Sequence, residues 1–67
     1  MNTDRITPRQ IEILQFVADG HCRKQAREII GVSPNTIKVH LNRIYERLGV
    51  REDAHAVAVG FRNGWLR

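Results

Sequence analysis

Three side chains with different recognition chemistry, Lys38, Val39 and Asn42, occur at positions i, i+1 and i+4 of one segment. In a helix these positions project from one face. Lysine donates hydrogen bonds, asparagine donates and accepts them, and valine makes only apolar contacts. The set suits non-covalent recognition. The chain offers no nucleophile with a base and an orienting group, and no glycine-rich phosphate loop, so we predict that it is not an enzyme.

The residues before this segment predict how it is positioned. Gly31 is suited to end one helix, because glycine tolerates the left-handed conformation found just past many helix ends. Ser33 is a good N-cap, and Pro34 is favoured at the first helical position. Two helices joined by so short a turn form a helix-turn-helix, whose second helix enters the major groove of DNA. The sequence therefore predicts a small DNA-binding domain.

The positive charge of the chain is concentrated in the same region. The formal net charge is +4. Residues 21–43 contain five basic side chains against Glu28 alone, a net of +4, whereas residues 1–20 sum to −1 and residues 44–67 to +1. A basic patch on one part of a domain is typical of a protein that binds a polyanion.

Hydrophobic periodicity and capping residues predict an all-α, four-helix fold: a tri-helical core with the helix-turn-helix and a fourth, dimerisation helix. We expect helices at about 8–18, 23–30, 34–48 and 54–63. Thr7 and Gln10 form a predicted capping box at the first helix. The third helix has a buried stripe with regular 4-3-4 spacing: Ile37, Leu41, Ile44 and Leu48.

The fourth helix has small or apolar residues on most sides. With Asp53 as its N-cap, we expect its core face to consist of Ala54, Val57, Ala58 and Phe61. Ala56, Val59 and Gly60 would then lie elsewhere, and a helix that is apolar nearly all round usually has a partner on both faces. The sequence therefore predicts a homodimer, with His55, Val59 and Arg62 on the outer face as the dimer interface.

The composition limits the other possibilities. We interpret residues 1–67 as one domain. The single cysteine, Cys22, cannot form an internal disulfide and fits a reducing cytoplasm. One cysteine and three scattered histidines give no zinc-ligand spacing, and no other cofactor is expected. The chain has no apolar run long enough for a membrane span and no signal peptide, so we predict a cytoplasmic, nucleoid-associated protein.

From Ile6 to Leu66 the chain resembles the LuxR-type (GerE-like) helix-turn-helix domains of bacterial transcription regulators. The similarity is carried by the segments ITPRQIEIL, VADG, GVSPNTIKVH and LNRIYERLGV. The resemblance implies a four-helix fold and transcription regulation. Family members usually carry this domain behind a receiver or small-ligand domain, and because this chain has neither we expect a free-standing form. One departure concerns the second helix, where Ala26 and Arg27 replace a large aliphatic residue and a packed alanine. Arg27 would then extend its head to solvent, or Ala26 would take the close-packing role.

The resemblance also implies roles for individual residues. Lys38, Val39 and Asn42 match the positions that face base edges, where they can contact guanine, a thymine methyl group and adenine. We expect the phosphate backbone to be bound by other side chains and by the amide of Thr36, at the start of the third helix. The phosphate-binding candidates are Thr36, His40, Arg43, Arg23, Lys24 and Asn35.

Two alternative functions remain open. A sigma-factor region 4-like domain shares the opening and the helix-turn-helix, although the T-[IV]-K-x-H signature and the fourth helix argue against it. The other alternative is a protein-interaction module that acts on RNA polymerase or another regulator through the fourth helix. If the chain instead binds DNA as a dimer, the two third helices would reach palindromic half-sites about 10 base pairs apart.

Overall fold

A computed structural model describes residues 6–67, so the first five residues of the predicted domain lie outside the described part. Its α-helices are α1 (Pro8–Ala18), α2 (Ala26–Ile30), α3 (Pro34–Leu48) and α4 (Asp53–Arg62). A 3₁₀ turn, Arg23–Gln25, leads directly into α2. Residues 6–67 contain no strand. The all-α, four-helix class is therefore confirmed, and the predicted bounds of α1 and α3 match the structure.

The N-terminus of α1 is fixed by the predicted capping box. The backbone N–H of Gln10 donates to Thr7 Oγ1 at 3.1 Å, and the N–H of Thr7 donates to Gln10 Oε1 at 2.9 Å. Two backbone donors that the first turn leaves unpaired are thereby satisfied. Capping therefore fixes the start of α1, the helix that packs against both α3 and α4.

The turn between α2 and α3 has the predicted form. Gly31 ends α2 with a φ of 70°, in the left-handed region. Ser33 Oγ then accepts a hydrogen bond from the N–H of Thr36 at 3.1 Å, and Pro34 is the first residue of α3. Only Val32 and Ser33 separate Gly31 from Pro34. This short turn sets the position of α3 relative to α2.

The predicted stripe on α3 lies in the hydrophobic core. Ile37, Leu41 and Ile44 are almost completely buried, and Leu48 is buried at the end of the helix. Other core side chains come from α1 and from both chain ends: Ile6, Ile13, Leu14, Phe16, Trp65 and Leu66. Burial of this stripe fixes the rotation of α3 about its axis and therefore decides which side chains it exposes.

The second helix differs from the prediction at its start. The predicted helix 23–30 begins as a 3₁₀ turn and becomes α-helical only at Ala26. Cys22, at the N-cap position, makes no side-chain capping bond, although its N–H donates to Gln25 Oε1 at 3.0 Å. Ala26 is fully buried and Arg27 is exposed, so Ala26 takes the close-packing role.

The predicted core face of α4 is wrong except at Val57, which is half-buried and packs against the core. The buried residues of α4 are Ala56 and Gly60, whereas Ala54, Ala58 and Phe61 are exposed. The reason is close packing: a Cβ atom on Gly60 would lie 2.6 Å from Leu66 Cδ1 and 3.3 Å from Leu14 Cδ2. Small residues are needed where α4 meets α1 and the C-terminal residues, so the larger Phe61 remains outside.

Both ends of α4 also differ from the sequence prediction, because the helix spans Asp53–Arg62 rather than residues 54–63. Asp53 is the first helical residue rather than the N-cap, and the N-cap residue Glu52 makes no side-chain capping bond. After α4 the chain folds back on the helix: the N–H of Trp65 donates to the carbonyl of Gly60 at 2.9 Å. This return places Trp65 and Leu66 in the core.

Candidate nucleic-acid interface

The solvent face of α3 carries the three side chains predicted to contact bases. Lys38, Val39 and Asn42 are all exposed, and Val39 leaves 48% of its surface accessible although it is a branched aliphatic residue. Capping by Ser33 and burial of the opposite face fix the position and rotation of α3. The helix therefore presents an ammonium group, an apolar group and an amide side by side, as a surface for recognition.

The N-terminal turn of α3 differs in one detail from what the sequence predicts. The N–H of Thr36 was expected to bind a phosphate, but it donates to Ser33 Oγ in the capping bond. Ser33 Oγ in turn donates to Thr36 Oγ1 at 2.9 Å. The Thr36 hydroxyl keeps its own hydrogen for donation and the residue is exposed, so the side chain rather than the amide is available to an anion.

The other predicted phosphate-binding residues of α3 have unequal accessibility. Asn35 and Arg43 are exposed. His40 is half-buried, so only part of its imidazole is accessible. The 3₁₀ turn before α2 adds two exposed cations, Arg23 and Lys24. The structure therefore leaves Arg23, Lys24 and Arg43 open to an anion and restricts His40.

These cations are not neutralised within the described residues. Among residues 6–67 the salt bridge joins Arg9 to Glu12 on α1, with Arg9 Nη1 3.3 Å from Glu12 Oε1. Arg23, Lys24 and Arg43 form no ion pair there. An uncompensated basic surface raises the local concentration of polyanions and speeds their association.

Comparison with known proteins decides which family this arrangement represents. Residues 4–59 match the family of bacterial regulatory proteins of the luxR type. The chain belongs to the LuxR family. This match favours the LuxR family over the sigma-factor alternative. No solved structure matches the chain significantly.

Curated relatives of this LuxR-family chain are named as transcriptional regulators. It is 31% identical over 62 residues to the transcriptional regulatory protein DegU of Brevibacillus brevis, covering 92% of this chain and 26% of the relative. It is 39% identical over 56 residues to the probable regulator SgaR of Hyphomicrobium methylovorum, covering 84% and 26%. It is 37% identical over 61 residues to the probable regulator NarL of Mycobacterium tuberculosis H37Rv, covering 91% and 28%. The chain thus spans about a quarter of these relatives.

The residues predicted for the dimer interface of the LuxR-family chain differ in accessibility. His55 and Arg62 are exposed, but Val59 is half-buried and packs against the core, so it does not lie fully on an outer face. The exposed apolar surface of α4 consists instead of Ala54, Ala58 and Phe61, at positions i, i+4 and i+7. Phe61 is 50% exposed. We call these three residues the α4 apolar face.

Sequence reasoning missed this face because it ranked residues by hydrophobicity. The sequence feature that could have identified the buried face of α4 is the pair of small residues, Ala56 and Gly60, spaced four apart. Small residues at this spacing allow another segment to approach the helix backbone closely. The following Trp65 and Leu66 supply that segment.

The rest of the described surface offers little to a metal or cofactor. Residues 6–67 contain no group of three or more histidine, cysteine or acidic side chains placed to hold a metal ion. An open cavity of about 250 Å³ lies between α1, α2 and the C-terminal residues, lined in part by Phe16, Ile29 and Trp65.

No described helix is both long and apolar enough to cross a membrane. The family assignment points to a non-enzymatic role in regulation, as predicted.

Proposed function

We propose that this chain binds double-stranded DNA in a sequence-specific manner and regulates transcription, with α3 in the major groove. The observation that carries the proposal is the exposure of Lys38, Val39 and Asn42 on one face of a helix whose other face is buried. LuxR-family membership and relatives named as transcriptional regulators support it.

Each of the three exposed side chains has a base edge that it fits. Lys38 donates to O6 and N7 of guanine, Asn42 pairs with N6 and N7 of adenine, and Val39 contacts the methyl group of thymine. All of these groups lie in the major groove, which is wide enough to admit an α-helix. A half-site containing guanine, adenine and thymine is therefore the expected target.

Phosphate contacts hold α3 in register. Thr36 donates through its hydroxyl, and Arg43 donates through a guanidinium that can form two parallel hydrogen bonds. Asn35 and the exposed part of His40 add donors along the same helix. Arg23 and Lys24, on the 3₁₀ turn, bind the flanking phosphates. These contacts position the protein but carry no sequence information themselves.

We propose that the protein acts as a homodimer through the α4 apolar face. Phe61 is the central contact, with Ala54 and Ala58 allowing close approach of the two helices, while His55 and Arg62 flank them. Val59 contributes only its exposed edge. Two copies of α3 would then reach palindromic half-sites about 10 base pairs apart, in successive major grooves of nucleoid DNA in the cytoplasm.

Selection from a random duplex pool tests the proposal directly. Bound DNA is enriched and sequenced, and affinity is measured by fluorescence anisotropy at two salt concentrations. We expect an enriched palindrome with a one-turn spacing. The variant Lys38→Ala should relax the preference at one base pair of each half-site, by about 1–3 kcal/mol of discrimination. Salt-sensitive binding without an enriched motif would contradict sequence-specific regulation.

A second function is favoured by the exposed Phe61. The α4 apolar face would bind a different protein, such as RNA polymerase or another regulator, and the basic surface would contribute little. Binding through phosphates weakens steeply with salt, whereas an apolar helix interface does not. A protein that shows no affinity for DNA at low salt but stays monomeric would support this second function.

A further inference from the structure

Arg27 is an exposed cation to which neither the fold nor the contacts described above assign a role. It is the second residue of α2, and its side chain forms no hydrogen bond or ion pair with another described residue. Its neighbour Ala26 is fully buried and makes the close packing contact of the helix. The order Ala26–Arg27 therefore removes the arginine from the core and holds its guanidinium at the surface.

The 3₁₀ turn leads directly into α2, so Arg27 follows two other cations along one helical segment. Lys24 lies three residues before Arg27 and Arg23 lies four residues before it. Residues at these spacings are neighbours on a helix surface. Three cations thus occur within residues 23–27, and all three are exposed.

Two other residues of α2 contribute to a different surface. Ile29 and Ile30 line the cavity that α2 forms with α1 and the C-terminal residues. Arg27 does not line this cavity, and it is exposed to solvent outside it.

Like charges at spacings of three and four residues repel each other in a helix. Glu28 is the one acidic residue of α2, and it forms no ion pair with any of the three cations. The repulsion is therefore uncompensated in the free protein, and a row of phosphates would relieve it. A guanidinium also binds a phosphate with two parallel hydrogen bonds, which a lysine cannot do.

We infer that Arg27 is a further phosphate-binding residue, which extends the contact made by Arg23 and Lys24 along the DNA backbone. The inference rests on the proposed DNA-binding function. It makes the 3₁₀ turn and the start of α2 a second basic element beside α3, with three cations where the sequence analysis assigned two.

Salt titration of Arg27→Gln tests this contact, with Arg67→Gln as the matched control. Both variants remove one positive charge from an exposed arginine, but Arg67 lines the cavity on the Ile29 side of α2. Gln15 holds only the backbone of Arg67, with its Nε2 donating to the carbonyl at 3.1 Å, so the control keeps these bonds. Thermal unfolding by circular dichroism verifies that both variants are folded.

We expect Arg27→Gln to lower the slope of log affinity against log salt by about 0.9, the value for one lost phosphate contact. At 0.1 M salt this corresponds to an affinity about eightfold weaker, equally for selected and random duplexes. Arg27→Lys should keep most of the slope, and Arg67→Gln should keep the wild-type slope.

The possible failures are distinguishable. If the wild type binds DNA and Arg27→Gln has the same slope and affinity as Arg67→Gln, the contact is refuted and the proposed function is untouched. If the wild type binds no duplex at low salt, the proposed function fails and the Arg27 contact with it. A loss confined to the selected sequence would also overturn the inference, because a phosphate contact weakens all sequences alike.

Discussion

The helices α3 and α4 are both amphipathic, but they pack by different rules. On α3 the isoleucine and leucine residues are inside, and the polar residues and Val39 are outside. On α4 the small residues Ala56 and Gly60 are inside and Phe61 is half exposed. The difference follows from distance: side chains fill the space between α3 and its neighbours, whereas α4 approaches Leu14 and Leu66 too closely for a large residue.

The largest expected effect tests the buried face of α3. Leu41→Ala removes a side chain that is 1% exposed and leaves a cavity, so it should destabilise the fold by about 2–5 kcal/mol. A core of this size rarely contributes more than about 3–5 kcal/mol of net stability, so this variant should be largely unfolded at 25 °C. Val39→Ala, on the exposed face, should melt close to the wild type. Equal melting temperatures would refute the assigned faces.

The second test inverts the sequence-based expectation for α4. Ala56 is fully buried and Ala58 is exposed, although hydrophobic patterning placed Ala58 in the core. Ala56→Leu should overpack the interface and cost about 1–3 kcal/mol. For a domain this small, each kcal/mol lowers the melting temperature by about 4–8 °C. Ala58→Leu should leave the melting temperature almost unchanged when it is measured on dilute protein. The reverse result would support the sequence-predicted orientation of α4, with Ala58 in the core.

These two helices show where the sequence was informative. For α3, the spacing of Ile37, Leu41 and Ile44 identified the core face, and Ser33 with Pro34 identified the start. Both signals are local, and together they predict that Lys38, Val39 and Asn42 are exposed. The orientation of α4 depends on Trp65 and Leu66 folding back against Gly60, which is a tertiary contact that periodicity does not report.

Some features of the candidate site could also be predicted from the sequence and others could not, because only some of them depend on local signals. The accessibility of Arg23, Lys24 and Arg43 follows from charge alone, because an unpaired cation is seldom buried. The loss of the Thr36 amide to the Ser33 cap could have been foreseen, since an N-cap oxygen normally accepts that hydrogen bond. The half-burial of Val59 could not, because it depends on the rotation of α4.

The third test compares the exposed faces of the two helices, polar on α3 and apolar on α4. Phe61→Glu places a charge on the proposed dimer surface and should weaken self-association at least about tenfold, or about 1.4 kcal/mol. Phe61→Leu should keep the dimer. Sedimentation equilibrium measures both, and melting at low concentration verifies that the monomer is folded. An unchanged dimer in Phe61→Glu would place the interface elsewhere.

The smallest expected effect concerns the N-caps of the two helices. Ser33 Oγ accepts the N–H of Thr36, so Ser33→Ala should destabilise the domain by about 1 kcal/mol. Glu52 makes no such bond at α4, so Glu52→Ala should cost much less. Glu52→Ser offers the missing acceptor and should raise the free energy of unfolding, because a serine cap is worth about 0.5–2 kcal/mol relative to alanine. Chemical denaturation of the three variants measures these differences. If Glu52→Ala and Ser33→Ala were equally destabilising, capping would not distinguish α3 from α4, and the precise start of α3 would have to be attributed to Pro34 and core packing alone.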